Sequence, residues 1–531
     1  MIMEILKENK SASAILGFVL FFVLFCIFFN LGGRTLENQD NMNFAEVGRE
    51  ILETGDWVMM RLGGNIYVDK PPLHFWNIAL SYKLFGVSPF AARVPSAFFA
   101  ALGLVGILLF CFQVQRETPT MGIYACLFLF SNYAYSYYSR TARIDMEYSV
   151  LFSLSLISFY TGYETKKPGR KALFYSLFWV LMGMAFLSKG PVAFVPLVIA
   201  LIYLLIRRNW GSLRFGILIA TSPLLIITIL PWVILLAVHK DFDRYLYLLR
   251  TSTIMTRREG FFYYFPSLFI NFLPGTLFMA ISLPFLWRWR DEVKKHPGVL
   301  FCLTWSTVYF LIIHLTAAKN LRYLLPLFLP LSVITAWVIN RLFREGILSH
   351  KVRKYWRVSA GILAGLISLA PAVWIFFNRG FAWNALLLSV VSISSLFFAS
   401  RKAKDVVVFT CVLCALGFLS LDLLRTAFNT RLSDNLQLFT VLKDHNVGVD
   451  DIVLYKTGRD TKWTLGFYYN KLLRQKDVLE NEDHDKAIVT SPMAVDEVFK
   501  VFGADRQTAI IRSHRGAPEP NYCAVFPLLH R

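Results

Sequence analysis

The run ASAILGFVLFFVLFCIFFNL, residues 12–31, carries no charged side chain. A helix of about 20 such residues is long enough to cross the hydrocarbon core of a membrane. Similar apolar runs recur until about residue 424. We place thirteen of them at residues 12–31, 91–112, 119–138, 146–163, 172–188, 190–206, 215–238, 266–286, 299–317, 321–340, 358–377, 382–400 and 406–424. The chain is therefore predicted to be a multi-span α-helical membrane protein.

The composition excludes an ordinary soluble protein, because 56% of the 531 residues are hydrophobic. Lys7 and Lys10 precede the first run in the manner of a signal peptide. That run is longer than the apolar part of most signal peptides, and no small-residue cleavage site follows it, so we expect an uncleaved anchor.

The net charge of +20 follows a membrane pattern, because the basic residues collect in alternate loops. These clusters lie within residues 166–171, 207–214, 288–295, 341–357 and 401–404. Cytoplasmic loops are enriched in Lys and Arg, which predicts a cytoplasmic N-terminus and, after thirteen spans, an external C-terminus. We expect a multi-pass protein of the plasma (inner) membrane that contacts membrane lipids and no nucleic acid.

Three external segments are too long to be simple turns, at residues 32–90, 239–265 and 429–531. In the first, an amphipathic helix is predicted from near Asn41 to Gly55, lying along the membrane surface. In the last, strand-like runs (DIVLYK, KAIVTS, TAIIRS, YCAVFPL) alternate with helical spacing, which predicts a small α/β domain. We therefore expect a transmembrane domain at 1–428 and an external, periplasmic domain at 429–531.

Ionisable residues near the predicted span ends collect on the external side. They are Asp40, Asp69, Lys70, Arg140, Arg143, Asp145, Lys189, Arg257, Arg258, Lys319 and Arg322. Ionisable groups at membrane depth are costly and usually functional. Cations can hold a phosphate leaving group while a carboxylate removes a proton from an attacking hydroxyl. Phosphate chemistry at a membrane suggests a lipid-linked substrate.

Several motifs occur in one order along the membrane domain. They are AEVGREILETGDW (45–57), DKP (69–71), RIDM (143–146), FLSKGP (186–191), RREGFFYYFP (257–266) and KNLRYLLPLFLP (319–330). With Asp40 just after the first span, this combination resembles the C-type (GT-C) glycosyltransferases related to protein O-mannosyltransferases and lipid A aminoarabinose transferases. The resemblance implies the GT-C fold with about thirteen transmembrane helices.

The resemblance also implies an activity, namely transfer of a sugar from a polyprenyl-phosphate donor to a lipid, glycan or protein acceptor, with inversion at the anomeric carbon. Asp40 would be the leading base or acceptor-orienting group, and Asp145 the second acid. Lys70, oriented by Asp69, and one of Arg257 and Arg258 would hold the donor phosphate. The remaining residues implied to contact substrate are Arg143, Lys189, Lys319, Arg322 and Tyr323.

Two departures from the family pattern leave the acceptor and any divalent metal open. Asn41 stands where a second acid is common, and Asp69 stands where the lipid A enzymes commonly have Glu. No cofactor is assigned. Competing hypotheses are a transporter or flippase of lipid-linked sugars and an anchored external binding protein. Structural roles also remain as alternatives: a helix cap for Asp40, a snorkelling lysine for Lys70, and an interfacial aromatic belt for the tyrosines within 133–138.

Overall fold

The computed structural model describes residues 10–33, 36, 39–114, 119–251, 260–316, 319–347 and shorter runs between 407 and 527. Within it the chain forms two compact units. The first comprises Met1–Phe29, Ser96–Val238 and Arg250–Asp422, and the second comprises Asn30–Pro95, His239–Leu249 and Leu423–Arg531.

The first unit is helical. Its helices are α1 (Lys10–Phe28), α4 (Pro89–Val114, which begins in the second unit), α5 (Pro119–Ser131), α6 (Tyr133–Tyr138), α7 (Ile144–Glu164), α8 (Pro168–Lys189), α9 (Val195–Arg207), α10 (Trp210–Leu213), α11 (Phe215–Thr221), α12 (Pro223–Ala237), α14 (Tyr264–Asn271), α15 (Gly275–Arg288), α16 (Arg290–Lys295), α17 (Pro297–Leu315) and α18 (Leu325–Arg344). Short 3-10 turns lie at Pro191–Phe194, Phe261–Tyr263 and Leu321–Leu324. Helix α7 packs along α8, and α18 packs against α5 and α17.

Five of the described helical segments are long and apolar enough to cross a membrane. They are Pro89–Val114, Pro168–Lys189, Trp210–Ala237, Pro297–Leu315 and Leu321–Arg344. A bent pair, Phe261–Asn271 with Gly275–Arg288, adds a sixth if it forms one span. The predicted spans 358–377 and 382–400 lie outside the described residues. The multi-span helical membrane fold is confirmed, and the number of thirteen spans stays a prediction.

Two predicted spans are broken in the structure. The run 119–138 divides at Asn132, whose side-chain oxygen accepts the N–H of Tyr135 at 2.8 Å and so caps a new helix. The run 266–286 divides between α14 and α15, which meet at 106°. A hydropathy pattern detects apolar length, but it does not report such local caps and bends.

Buried cations stabilise two helix ends in this unit. Arg140 donates to the carbonyl oxygens of Cys26, Ile27 and Phe29 at 2.7, 3.0 and 2.8 Å, at the end of α1. Lys171 donates to the carbonyl oxygens of three residues, which are Gly162, Tyr163 and Ser212. The last carbonyls of a helix have no intrahelical partner and carry partial negative charge, so cations stabilise them. Lys171, predicted to be a topological loop charge, is therefore a buried helix cap.

The second unit contains α2 (Gln39–Thr54), the hairpin strands β1 (Arg61–Leu62) and β2 (Asn65–Ile66), α3 (Leu73–Phe85) and most of α13 (Phe242–Thr251, which ends in the first unit). Helix α2 confirms the predicted helix, and it ends at Gly55, whose φ of +71° suits glycine. On its apolar face Phe44, Val47 and Ile51 are buried, and Leu52 is half-buried.

The polar face of α2 is buried too, unlike that of a helix lying along a membrane surface. Glu46, Arg49 and Glu50 are each 2% exposed or less. Arg49 Nη2 donates to Glu46 Oε1 at 2.8 Å, and its Nη1 donates to Glu53 Oε2 at 2.8 Å. This pairing offsets the cost of removing the charges from water and raises the pKa of Arg49 above its ordinary value despite burial.

Glu50 joins α2 to the β1–β2 hairpin. One carboxylate oxygen accepts the N–H of Gly63, and the other accepts the N–H of Gly64 at 2.9 Å. Burial raises the pKa of Glu50 to about 7, and the neighbouring Glu46 adds to this. The two glycine N–H groups and Arg49 oppose the shift without cancelling it. Glu50 therefore titrates near neutral pH.

Protonation of Glu50 stabilises the folded protein, because the pKa of Glu50 is higher in the folded state. Because the folded-state pKa exceeds the ordinary value of 4.5, the contribution of Glu50 is fully present below pH 4.5 and is lost as pH rises through 7. We expect the apparent melting temperature of the purified protein to fall over this window, and Glu50→Gln to flatten the fall. Melting curves of both proteins in detergent test this, since the difference between them isolates Glu50. Parallel curves would contradict the assignment.

The terminal part of the chain contains α19 (Asp434–Asp444) and strands β3 (Ile452–Tyr455), β4 (Gln475–Lys476), β5 (Ala487–Thr490), β6 (Arg506–Ile511) and β7 (Tyr522–Pro527). Strands lie at all four predicted runs. Their order is β4-β3-β5-β7-β6, with β3 parallel to β4 and β5, and β7 antiparallel to β5 and β6. Leu438 and Leu442 of α19 pack on the sheet against a small apolar core of Ile452, Leu454, Ala487, Val489 and Ala524.

Candidate active site

The first unit gathers several predicted residues around Asp145. Asp145 is the second residue of α7, and Lys189 is the last residue of α8. Because these consecutive helices pack together and run in opposite directions, the start of one lies beside the end of the other. Asp145 is 1% exposed, so its charge needs partners.

Three cations supply those partners. Lys189 Nζ lies 2.7 Å from Asp145 Oδ1, and Arg143 Nε lies 3.2 Å from Oδ2. Arg322, in the 3-10 turn before α18, places its Nε 3.7 Å from Oδ1. We call Arg143, Asp145, Lys189 and Arg322 the cation cluster.

Aromatic rings flank the cluster. Lys189 Nζ lies 4.9 Å from the ring centre of Tyr148 and 5.0 Å from that of Tyr323. The Tyr148 hydroxyl donates to the carbonyl oxygen of Val192 at 3.0 Å, which holds its ring in place. The negative faces of the rings attract the ammonium group and limit where it can move. Tyr323 was predicted, whereas Tyr148 was not.

The four charged groups of the cluster together carry a net charge of +2. Glu147 is also buried, but it lies two residues from Asp145 and hence on another face of α7. Arg322 is 24% exposed at its side chain, so the cluster is reachable from outside the protein core. An excess of positive charge around a buried carboxylate suits an incoming anion, and guanidinium groups match phosphate geometry.

Lys319 has a different environment. Its Nζ donates to the carbonyl oxygens of His314 and Thr316 at 3.0 and 2.8 Å, at the end of α17. It also lies 5.9 Å from the ring centre of Tyr264, whose hydroxyl accepts the N–H of Asn320 at 3.1 Å. These are the contacts of a helix cap that holds the turn leading to Arg322.

The predicted site residues within residues 32–90 lie in the second unit. Asp40 is in the first turn of α2, half-buried, and Asp69 is exposed. Both act electrostatically on Tyr67, whose pKa is raised chiefly by burial and further by these two carboxylates. Lys70 Nζ donates to the backbone carbonyl oxygen of Asp69 at 2.9 Å. Tyr67 was missed by sequence reasoning, although it directly precedes the motif.

The prolines of this motif start a helix. Pro72 is the residue before α3, and its carbonyl oxygen accepts the N–H of Trp76 at 2.9 Å. Phe75 of α3 is buried against Tyr67, with their ring centres 5.7 Å apart. The segment from Tyr67 to Trp76 is thus anchored on both sides of Lys70.

Two further points of the sequence analysis concern Arg257 and Arg258 and a divalent metal. Arg257 and Arg258 lie outside the described residues. Within the described part of the chain, no group of three or more His, Cys, Asp or Glu side chains is placed to hold a metal ion.

The fold has solved counterparts. The structure of ArnT from Cupriavidus metallidurans in the apo state aligns with a TM-score of 0.76 at 20% identity, over 96% of this chain and 98% of that chain. The structure of the same protein bound to undecaprenyl phosphate aligns with a TM-score of 0.74. The fold is therefore the multi-span helical GT-C fold.

Sequence comparisons agree with this class. The family model described as dolichyl-phosphate-mannose-protein mannosyltransferase matches residues 69–235. The undecaprenyl phosphate-alpha-4-amino-4-deoxy-L-arabinose arabinosyl transferases of Edwardsiella ictaluri and Aeromonas hydrophila are 30% and 31% identical, over 67% and 68% of this chain. The chain spans 66% of the length of each of these curated relatives. It belongs to the GT-C glycosyltransferase superfamily of protein O-mannosyltransferases and lipid A aminoarabinose transferases.

Proposed function

We propose that this protein transfers a sugar from a polyprenyl-phosphate donor to an acceptor on the outer face of the membrane, with inversion at the anomeric carbon. The acceptor is a lipid such as lipid A, a glycan or a protein. The relatives are named for an undecaprenyl-phosphate-linked aminoarabinose donor, and the family model is named for a dolichyl-phosphate-linked mannose donor. Both names describe a sugar on a polyprenyl phosphate, which supports this donor class.

The cation cluster is the observation that carries the proposal. In the reaction the bond between the sugar and the phosphate oxygen breaks, and the phosphate leaves with added negative charge. Cations already fixed around that oxygen stabilise this charge without reorganising. Arg143, Lys189 and Arg322 are held in this way by Asp145, at 3.2, 2.7 and 3.7 Å.

We propose that Asp145, predicted from the sequence as the second acid, acts by positioning these cations. Three cations stabilise its negative charge, which disfavours uptake of a proton. As the family resemblance implies, we propose Asp40, which is half-buried in the first turn of α2, as the base that accepts the proton of the acceptor hydroxyl. We further propose, as the family resemblance implies, that Lys70 and one of Arg257 and Arg258 contact the donor phosphate.

A flippase would also bind a lipid phosphate, but it needs polar groups near the membrane midplane. Here Asp145 lies in the first turn of α7, Lys189 ends α8 and Arg322 precedes α18. The charges thus lie at helix ends on one side of the bundle, which favours chemistry at one membrane face. We further propose the domain arrangement above, with thirteen spans, a cytoplasmic N-terminus and an external domain at 429–531.

Complementation of a deletion strain tests the proposal. We expect the deletion to remove one sugar modification from the cell envelope and to accumulate the sugar-loaded carrier on the outer leaflet, as read by mass spectrometry and by accessibility to an impermeant reagent. Arg322→Ala should restore less than about a tenth of the modification, since loss of one transition-state cation costs about 10²-fold or more in rate.

Arg341 provides the matched control for this experiment. It pairs with Glu345 and lies 4.3 Å from the ring centre of Trp289, away from the cation cluster. Arg341→Ala is expected to restore the modification. Accumulation of the carrier on the cytoplasmic leaflet would instead support the flippase hypothesis.

A further inference from the structure

Helix α6, Tyr133–Tyr138, places a row of tyrosines beside the cation cluster. Tyr138 has its ring centre 6.0 Å from the guanidinium carbon of Arg143. Tyr137 packs edge-on against Tyr138 at 5.1 Å and 80°, and it stacks on Tyr133 at 5.9 Å and 20°. The aromatic row therefore begins at a cation that we assign to the donor phosphate.

These three tyrosines are half-buried, whereas Tyr135 of the same helix is buried. The hydroxyl of Tyr135 donates to the carbonyl oxygen of Ala100 at 2.8 Å, as expected of a packing residue. Tyr138 instead interacts electrostatically with Asp145 and Arg143. An interfacial belt would turn its rings toward lipid headgroups, so a ring directed at the cluster needs another explanation.

The chemistry of a sugar phosphate supplies one. The anomeric carbon is joined to the phosphorus through a single oxygen, so the sugar ring lies directly next to the phosphate. One face of many sugar rings presents C–H groups with small positive charge, which are attracted to the negative face of an aromatic ring. A phosphate held by Arg143 therefore brings its sugar within reach of Tyr138.

We propose that Tyr137 and Tyr138 form the saccharide subsite, in which the sugar ring of the donor stacks on an aromatic face. This inference rests on the proposed function, because it takes the cation cluster as the phosphate site. In this inference the tyrosines recognise the sugar, and the cation cluster recognises the phosphate.

Binding measurements on the purified full chain separate these two parts. The probes are undecaprenyl phosphate alone and undecaprenyl phosphate loaded with aminoarabinose, mannose or galactose. We expect the wild-type protein to bind at least one loaded probe more tightly than the unloaded one. Tyr138→Leu should weaken binding of that probe about 3- to 10-fold, the usual worth of one aromatic contact, and leave binding of undecaprenyl phosphate unchanged.

Two further variants keep the result interpretable. Tyr138→Phe retains the ring and should bind the loaded probe as the wild type does. Tyr137→Leu removes the ring that supports Tyr138 and should also weaken binding of the loaded probe. If Tyr138→Leu fails to fold, Tyr137→Leu takes its place in the experiment. Melting temperatures of all variants report their folding.

The outcomes distinguish failure of this inference from failure of the proposed function. If undecaprenyl phosphate does not bind the wild-type protein, the phosphate site itself is wrong. If it binds, but no loaded probe binds more tightly, the saccharide subsite is wrong while the phosphate site stands. The saccharide subsite is likewise wrong if the leucine variants weaken the loaded and unloaded probes equally, or if they weaken neither.

Discussion

Lys189→Met is expected to lower the rate of sugar transfer by about 10²- to 10³-fold and to weaken binding of undecaprenyl phosphate. The Lys189 ammonium lies 2.7 Å from Asp145 and between the rings of Tyr148 and Tyr323. Methionine retains most of the length and the apolar contacts of the side chain but removes the charge that stabilises the leaving phosphate. Losses of this size are typical when one preorganised electrostatic contact is removed. Turnover and binding by the purified protein measure the effect.

Lys171→Met is the matched control, because Lys171 is a buried lysine near the other end of the same helix. Its Nζ donates to three backbone carbonyl oxygens. Removing it should cost about 1–3 kcal/mol of stability and leave turnover per folded molecule near normal. If Lys189→Met loses activity only in proportion to lost folded protein, its role is structural and the assignment to phosphate is wrong.

Lys189 and Lys171 together show which features of the site a sequence can predict. Lys189, Asp145 and Arg322 were predicted from short motifs at span ends. Adjacent antiparallel spans bring such ends together, so a correct assignment of spans was enough to predict a shared site. Tyr148 lies one helical turn from Asp145, and helical spacing alone could have identified it.

The sequence did not show which groups the buried cations contact. Arg140, Lys171 and Lys319 each donate to two or three carbonyl oxygens at helix ends. A hydropathy pattern does not distinguish a lysine exposed to solvent from a lysine that binds a phosphate. Nor does it distinguish either of these from a lysine that donates to backbone carbonyl oxygens. The difference arises from tertiary neighbours that are distant in sequence, as with Ser212 beside Lys171.

The segment after the first predicted span, which contains α2 and α3, shows the same limit. A period of 3.6 residues correctly predicted α2 and its apolar face. Burial of Glu50 follows from the hairpin glycines 13 and 14 residues further on, which no periodicity relates to it. Helix α3 was not predicted as an element, because its sequence begins directly after two prolines and has no clear polar face.

Asp40→Asn is expected to lower turnover by about 10²- to 10⁴-fold, the usual contribution of a general base, while donor binding stays unchanged. Asparagine is isosteric and suits the start of a helix about as well as aspartate, so α2 should persist. The amide cannot accept the proton of the acceptor hydroxyl, which is why the loss should fall on turnover rather than on binding. Single-turnover rates and binding constants of the purified variant measure the two effects separately.

Asp69→Asn serves as the comparison, because both carboxylates act on the same tyrosine, Tyr67. Asp69 is exposed and was predicted from the sequence to orient Lys70. Lys70 Nζ donates to the Asp69 backbone carbonyl oxygen, which asparagine retains. Loss of the carboxylate should therefore weaken donor binding by no more than about fivefold, as for a solvent-exposed charge. Its effect on turnover at saturating donor should be small. Loss of the base should therefore lower turnover, whereas loss of the orienting acid should weaken donor binding. Near-normal turnover by Asp40→Asn, or equal turnover losses in the two variants, would remove Asp40 from the role of base and leave it as a helix-capping residue.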